Sequence, residues 1–160
     1  MLRPLRPDDL NVLLEVQRAG AVAGLGHIFP QATNPFPSEQ IQARWAEELD
    51  DPAVDCFAVL LDGEVAGFAA TRGAELLHFG TAPDSWGSGL AGRVHEELIE
   101  HLRRQGYQRA WLRVFEENRR AVRFYEHRGW RATMQTTRTS FAPNPVLRRY
   151  ELDLTEARAE

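Results

Sequence analysis

The chain has no lysine, one cysteine and no long apolar run. A lone cysteine cannot close an internal disulfide, which fits a reducing compartment, and Cys56 sits in an apolar stretch that marks it as core rather than nucleophile. Stretches such as FAVLL (57–61) are far too short to cross a bilayer. The opening MLRPLRPDDL carries acids where a secretory signal needs an apolar run, so the expected location is the cytoplasm, with no membrane partner. The dense basic stripe and high pI of a nucleic-acid binder are missing too: the net charge is −4 and the pI about 5.8. The five histidines show no ligand spacing with acids or thiols, so no metal is expected. No repeat, low-complexity tract or linker breaks the 160 residues, a length that fits one domain over 1–160 with a real core.

Charge is unevenly spread. Residues 1–75 hold 12 acids against 5 arginines, and residues 76–160 hold 11 acids against 14 arginines. Solvated surface explains such a split, and so would an anionic ligand on one side and a cationic one on the other. Hydrophobic periodicity supplies the elements. A short proline-closed edge strand leads to Asp8 as N-cap of a helix over about 9–18. A Gly- and Pro-rich stretch (20–40) reads as a long loop, and Ser38 opens a second helix with Trp45 on its inner face. Two β-runs flank Asp62-Gly63, a strong hairpin signal. A third run covers 74–83. Leu90, Val94, Leu98 and Leu102 mark an amphipathic helix over about 88–105. A strand at 109–115, a helix at 118–129 and two closing strands complete the chain.

WGSGLAG (86–92) spaces Gly87, Gly89 and Gly92 as G-x-G-x-x-G. Glycines admit a close ligand, and the helix that follows offers free N–H groups and a positive dipole end, so a phosphate ligand is expected. A dinucleotide is one reading, with Glu116 as the ribose-binding acid. Against it, PDSW separates the strand from Gly87, an antiparallel hairpin precedes that strand, and too little chain follows for a second mononucleotide half.

A fuller match surrounds the loop. W86-G-S-G89-L-A91 resembles a Gln/Arg-x-x-Gly-x-Gly/Ala loop, and N118-RR-A121-VRF-Y125-EHR-G129-W130 resembles an Asn-x-x-Ala-x-x-x-Tyr-x-x-x-Gly-aromatic segment. Together, over about 57–132, they resemble the GCN5-related N-acetyltransferase family. Trp86 departs from its usual Gln or Arg. The resemblance implies an α/β (α+β) fold: a mixed sheet of about seven strands, strands four and five parallel and splayed, flanked by about four helices. It implies acetyl-CoA as cosubstrate and acetyl transfer to a primary amine of a small molecule or peptide. Pantetheine would pair with strand four at Phe79, Gly80 and Thr81, and the pyrophosphate would lie on Trp86, Gly87, Ser88, Gly89, Leu90 and Ala91. Asn118 would hold the pantetheine arm, and Arg119, Arg120 or Arg123 would reach adenosine phosphates.

For the chemistry, the resemblance assigns Tyr125 as general acid toward the thiolate, against a packed aromatic, and Glu75 as general base, against a solvated strand end. His78 is the rival base. Strict alternation would set Glu75 and His78 on opposite faces. His27, Phe29, Phe36 and Trp45 are candidate acceptor-pocket walls, with the loop near 139–146. Homodimers are common in the family, and the C-terminal strands could pair across one. A non-catalytic acyl-CoA-binding regulatory module is the alternative function.

Overall fold

The computed structural model describes residues 1–155. Its elements are β1 (Leu2–Pro4), α1 (Leu10–Gly24), α2 (Ser38–Asp50), β2 (Val54–Leu61), β3 (Glu64–Arg72), β4 (Glu75–Thr81), α3 (Leu90–Arg104), β5 (Arg109–Phe115), α4 (Arg119–His127), β6 (Arg131–Arg138) and β7 (Val146–Asp153). The strands form one sheet in the order β1-β2-β3-β4-β5-β7-β6. Every pairing is antiparallel except β4 with β5. Asp62 and Gly63 both take positive φ, 53° and 82°, as the tight turn between β2 and β3 requires.

Helices cover both faces. On one, Leu10 and Leu13 of α1 and Ile41 and Trp45 of α2 pack against Ala58, Phe68 and Ala70. On the other, Leu90, Val94, Leu98 and Leu102 of α3, all fully buried, pack with Tyr125 against Val59, Ala69 and Leu112. That stripe of α3 is the one its 3.6-residue periodicity predicts. Cys56 lies in the first of these cores, and burial pushes its thiol up to about 11, so it is not poised as a nucleophile. Among the described residues, no helix is long and apolar enough to cross a membrane.

Three expectations need correction. Asp8 does not cap α1. It sits in a 3-10 turn, and its neighbour Asp9 spends its carboxylate on Arg3 at 2.7 and 2.9 Å and on the Arg6 N–H at 2.8 Å. Helix α1 also runs six residues past the expected end, through AGAVAG to Gly24. The alanines there are strong helix formers that offset the glycines, and Gly24 fits closely at its end: a Cβ there would lie 3.2 Å from the Trp86 ring.

The third correction concerns β4. Its pairing passes from Ala70–His78 to Thr71–Leu76, which leaves Leu77 as a β-bulge. One extra residue reverses the alternation. Glu75, opposite Arg72, and His78, opposite Ala70, therefore share a face, the one covered by α1 and α2. Next to the bulge, β4 and β5 share a single register position, Glu75–Trp111, with Trp111 N–H bonded to Ala74 O at 3.1 Å. Beyond it the strands part.

His95 of α3 gives the fold a pH dependence. It is buried, its Nε2 accepts from Trp130 Nε1 at 3.0 Å, and burial lowers its pKa to about 4. Between about 6.5 and about 4 the unfolded chain therefore binds more protons than the folded one, so stability falls as pH falls. Across that window the loss is about 3 kcal/mol, at 1.36 kcal/mol per unit. Denaturant unfolding from pH 7 to 4 should show it, and His95→Leu should flatten that part of the curve.

Candidate active site

The gap between β4 and β5 opens into a cavity of about 700 Å3. Its lining runs from Trp86 to α1 and α2 and to the loop at 139–142. Ala82 N–H bonds across to Ala66 O on the β3 side. By the alternation of an antiparallel ladder, the backbones of Phe79 and Thr81 then face the gap. Thr81 carbonyl is already occupied there: it accepts from Trp86 Nε1 at 3.0 Å. Trp86 thus supplies a donor of its own. It also carries Arg120, whose guanidinium lies 3.5 Å over the indole.

The glycine loop is a compact turn. Gly87 and Gly89 take φ of 83° and 88°, the left-handed region that a side chain would strain. Ser88 N–H is spent on Ser85 O at 3.1 Å, and Leu90 N–H meets Ser88 Oγ at 3.3 Å. The amides of Gly87, Gly89 and Ala91 have no such partner among the described residues. Two guanidiniums missed by sequence reasoning stand against this turn. Arg128 NH2 lies 2.5 Å from where a Cβ on Gly92 would be, and Arg93 NH1 lies 3.3 Å from the same position on Gly89. A signal existed: Arg93 is on the first turn of the amphipathic helix, and Arg128 adjoins the recognised glycine. Of the arginines singled out in sequence, Arg120 lines the cavity, while Arg119 and Arg123 do not.

Asn118 lines the cavity and caps α4, its Oδ1 accepting from Ala121 N–H at 3.2 Å, and its amide protons have no partner among the described residues. Two turns further along, Tyr125 is buried between Phe124 and Trp130 and lines the same cavity. Burial raises its phenol well above the ordinary 10, so it stays protonated. Glu75 also lines the cavity at only 4% exposure; burial raises its carboxyl, against the pull of Arg113 at 3.5 Å. His78 donates from Nε2 to both Glu48 oxygens at 2.9 and 3.0 Å, and burial lowers its pKa, so it is a neutral imidazole.

Of the remaining candidates, Phe29 and Phe36 line the cavity. Trp45 does not: it is fully buried in the core, with Nε1 bonded to Gln17 Oε1 at 2.9 Å. His27 donates to Glu117 O at 2.8 Å and lies off the cavity wall. Glu116, the acid that a dinucleotide would need, is tied to Arg148 Nε at 2.6 Å on β7.

Comparison with known proteins agrees with this geometry. The model of the acetyltransferase (GNAT) family matches residues 22–130. An uncharacterized N-acetyltransferase of Mycobacterium tuberculosis (strain ATCC 25618 / H37Rv) is 32% identical over 94 residues, which span 56% of this chain and 60% of that relative. The [ribosomal protein bS18]-alanine N-acetyltransferase of Escherichia coli (strain K12) is 29% identical over 121 residues, 73% of this chain and 74% of that one. Among solved structures, the ribosomal-protein-S18-alanine N-acetyltransferase from Escherichia coli superposes with a TM-score of 0.71 at 22% identity, covering 98% of this chain and 95% of its own.

Proposed function

The chain belongs to the acetyltransferase (GNAT) family, and from that premise we propose that it moves an acetyl group from acetyl-CoA to a primary amine by direct attack in a ternary complex. The observation that carries this reading is one cavity joining a parted β4–β5 edge to a buried, protonated phenol and a buried carboxyl. The Phe79 backbone and Thr81 N–H pair with the pantetheine amides as an added strand would. Between them, Gly80 makes room for the Phe68 ring of β3: a Cβ there would lie 2.5 Å from it. Amides of Gly87, Gly89 and Ala91, with Arg93 and Arg128, receive the pyrophosphate; helix N-termini favour such anions. Ser88 and Leu90 shape the turn, and Trp86 holds Thr81 and Arg120 in place.

Glu75 takes the proton from the incoming ammonium, freeing the nitrogen lone pair to attack the thioester carbon. The Phe79 N–H, which faces the gap, donates to the oxyanion. As the C–S bond breaks, Tyr125 gives its proton to the departing thiolate, and the second proton, which the nitrogen loses on becoming a neutral amide, restores the phenol. A phenol inside the cavity favours this enzyme over a non-catalytic acyl-CoA-binding module, which has no use for an acid there.

Thermal unfolding with CoA, acetyl-CoA, NADH and FAD tests the reading. A ligand at about 100 times its Kd adds about 2.7 kcal/mol, so the CoA species should raise the Tm visibly. Stabilisation by NADH or FAD alone would overturn it.

A further inference from the structure

The acid excess of the first half of the chain does not reach the cavity. Among the described residues, Glu75 is the sole acid in its lining, against Arg44, Arg113 and Arg120. Arg113 is paired with Glu75, and Arg120 rests on Trp86. Arg44, on α2, is different. Its Nε is buried without a partner, and its guanidinium makes no hydrogen bond or ion pair among the described residues. Glu48, one helical turn on, is the obvious neighbour, but His78 holds both of its oxygens. Burial accordingly lowers the Arg44 pKa in spite of Glu48. A half-buried cation left without an anion costs free energy unless a ligand supplies one.

The surroundings of Arg44 narrow the ligand. Its guanidinium lies 5.8 Å from the Phe141 ring centre, and Phe36 and Ile41 line the same cavity. A polyamine or aminoglycoside would bring further positive charge to a wall already rich in arginine. We propose that the acceptor is a hydrophobic amino acid or short peptide with a free carboxylate, which Arg44 binds while the amine turns toward Glu75 and His78. This rests on the acetyl-transfer reading. Arg44 is here a specificity residue, since a guanidinium matches a carboxylate in a bidentate pair.

The test compares kcat/KM for phenylalanine and alanyl-phenylalanine with their C-terminal amides, and with O-phosphoethanolamine, in wild type, Arg44→Met and Arg44→Lys. For at least one pair, the free acid should be preferred about 10- to 100-fold. Arg44→Met should bring that ratio close to one, and Arg44→Lys should keep part of it. Because the readout is a ratio within each variant, a general loss of folding or rate does not move it. A wild-type ratio near one, or a preference that survives Arg44→Met, overturns the proposal. Preference for O-phosphoethanolamine would overturn the carboxylate. If acetyl-CoA raises the Tm but no probe is acetylated, the acceptor class is wrong and CoA binding stands. If acetyl-CoA does not raise the Tm, the acetyl-transfer reading falls, and this inference with it.

Discussion

Tyr125→Phe should lower kcat about a hundredfold or more while leaving the KM for acetyl-CoA near its wild-type value, because a general acid contributes about 10²- to 10⁴-fold to rate and little to ground-state binding. The substitution removes one hydroxyl and keeps the ring between Phe124 and Trp130. That hydroxyl makes no hydrogen bond among the described residues, so its loss leaves no orphaned partner and the Tm should hardly move. Thiol release followed with a chromogenic disulfide gives kcat and KM together. The wild-type rate should also stay level on the alkaline side past pH 10, because burial keeps the phenol protonated there. A Tyr125→Phe enzyme with unchanged kcat would reduce Tyr125 to a packed aromatic.

The placement of Tyr125 beside Asn118 was legible in the sequence because their seven-residue spacing is local: one short helix, capped by Asn118, carries Tyr125. The α3 stripe and the Asp62-Gly63 turn were legible for the same reason, since each is decided within its own segment. What escaped depends on contacts between segments. At the end of α1, Gly24 lies against Trp86, more than sixty positions away in sequence. Arg128 reaches the glycine loop only once α4 folds back against α3. Arg44 reads as an ordinary surface arginine until His78 is seen to occupy the acid that would have paired with it. The bulge at Leu77 is a property of the β3–β4 pair, and alternation along β4 alone gives the wrong face.

That bulge decides how the proton acceptor must be tested, because it sets Glu75 and His78 on the same face. Glu75→Gln should lower kcat about a hundredfold or more, as expected for loss of a general base. In wild type, kcat/KM should rise with pH as Glu75 ionises, at a pH above the ordinary carboxylate range because burial raises its pKa. Glu75→Gln should erase that rise, whereas His78→Asn should keep it. Stability should move the other way. A carboxyl whose pKa is raised on folding disfavours the native state once ionised, so the loss is present above the folded pKa and absent below the unfolded one. Replacing Glu75 with neutral Gln removes this penalty, and Arg113, 43% exposed, can be resolvated when its partner goes. The variant should therefore be at least as stable as wild type at pH 7 while being far slower, which separates a lost proton acceptor from a damaged fold. Loss of the acid-side rise in His78→Asn, with its retention in Glu75→Gln, would move the role to His78 with Glu48 behind it.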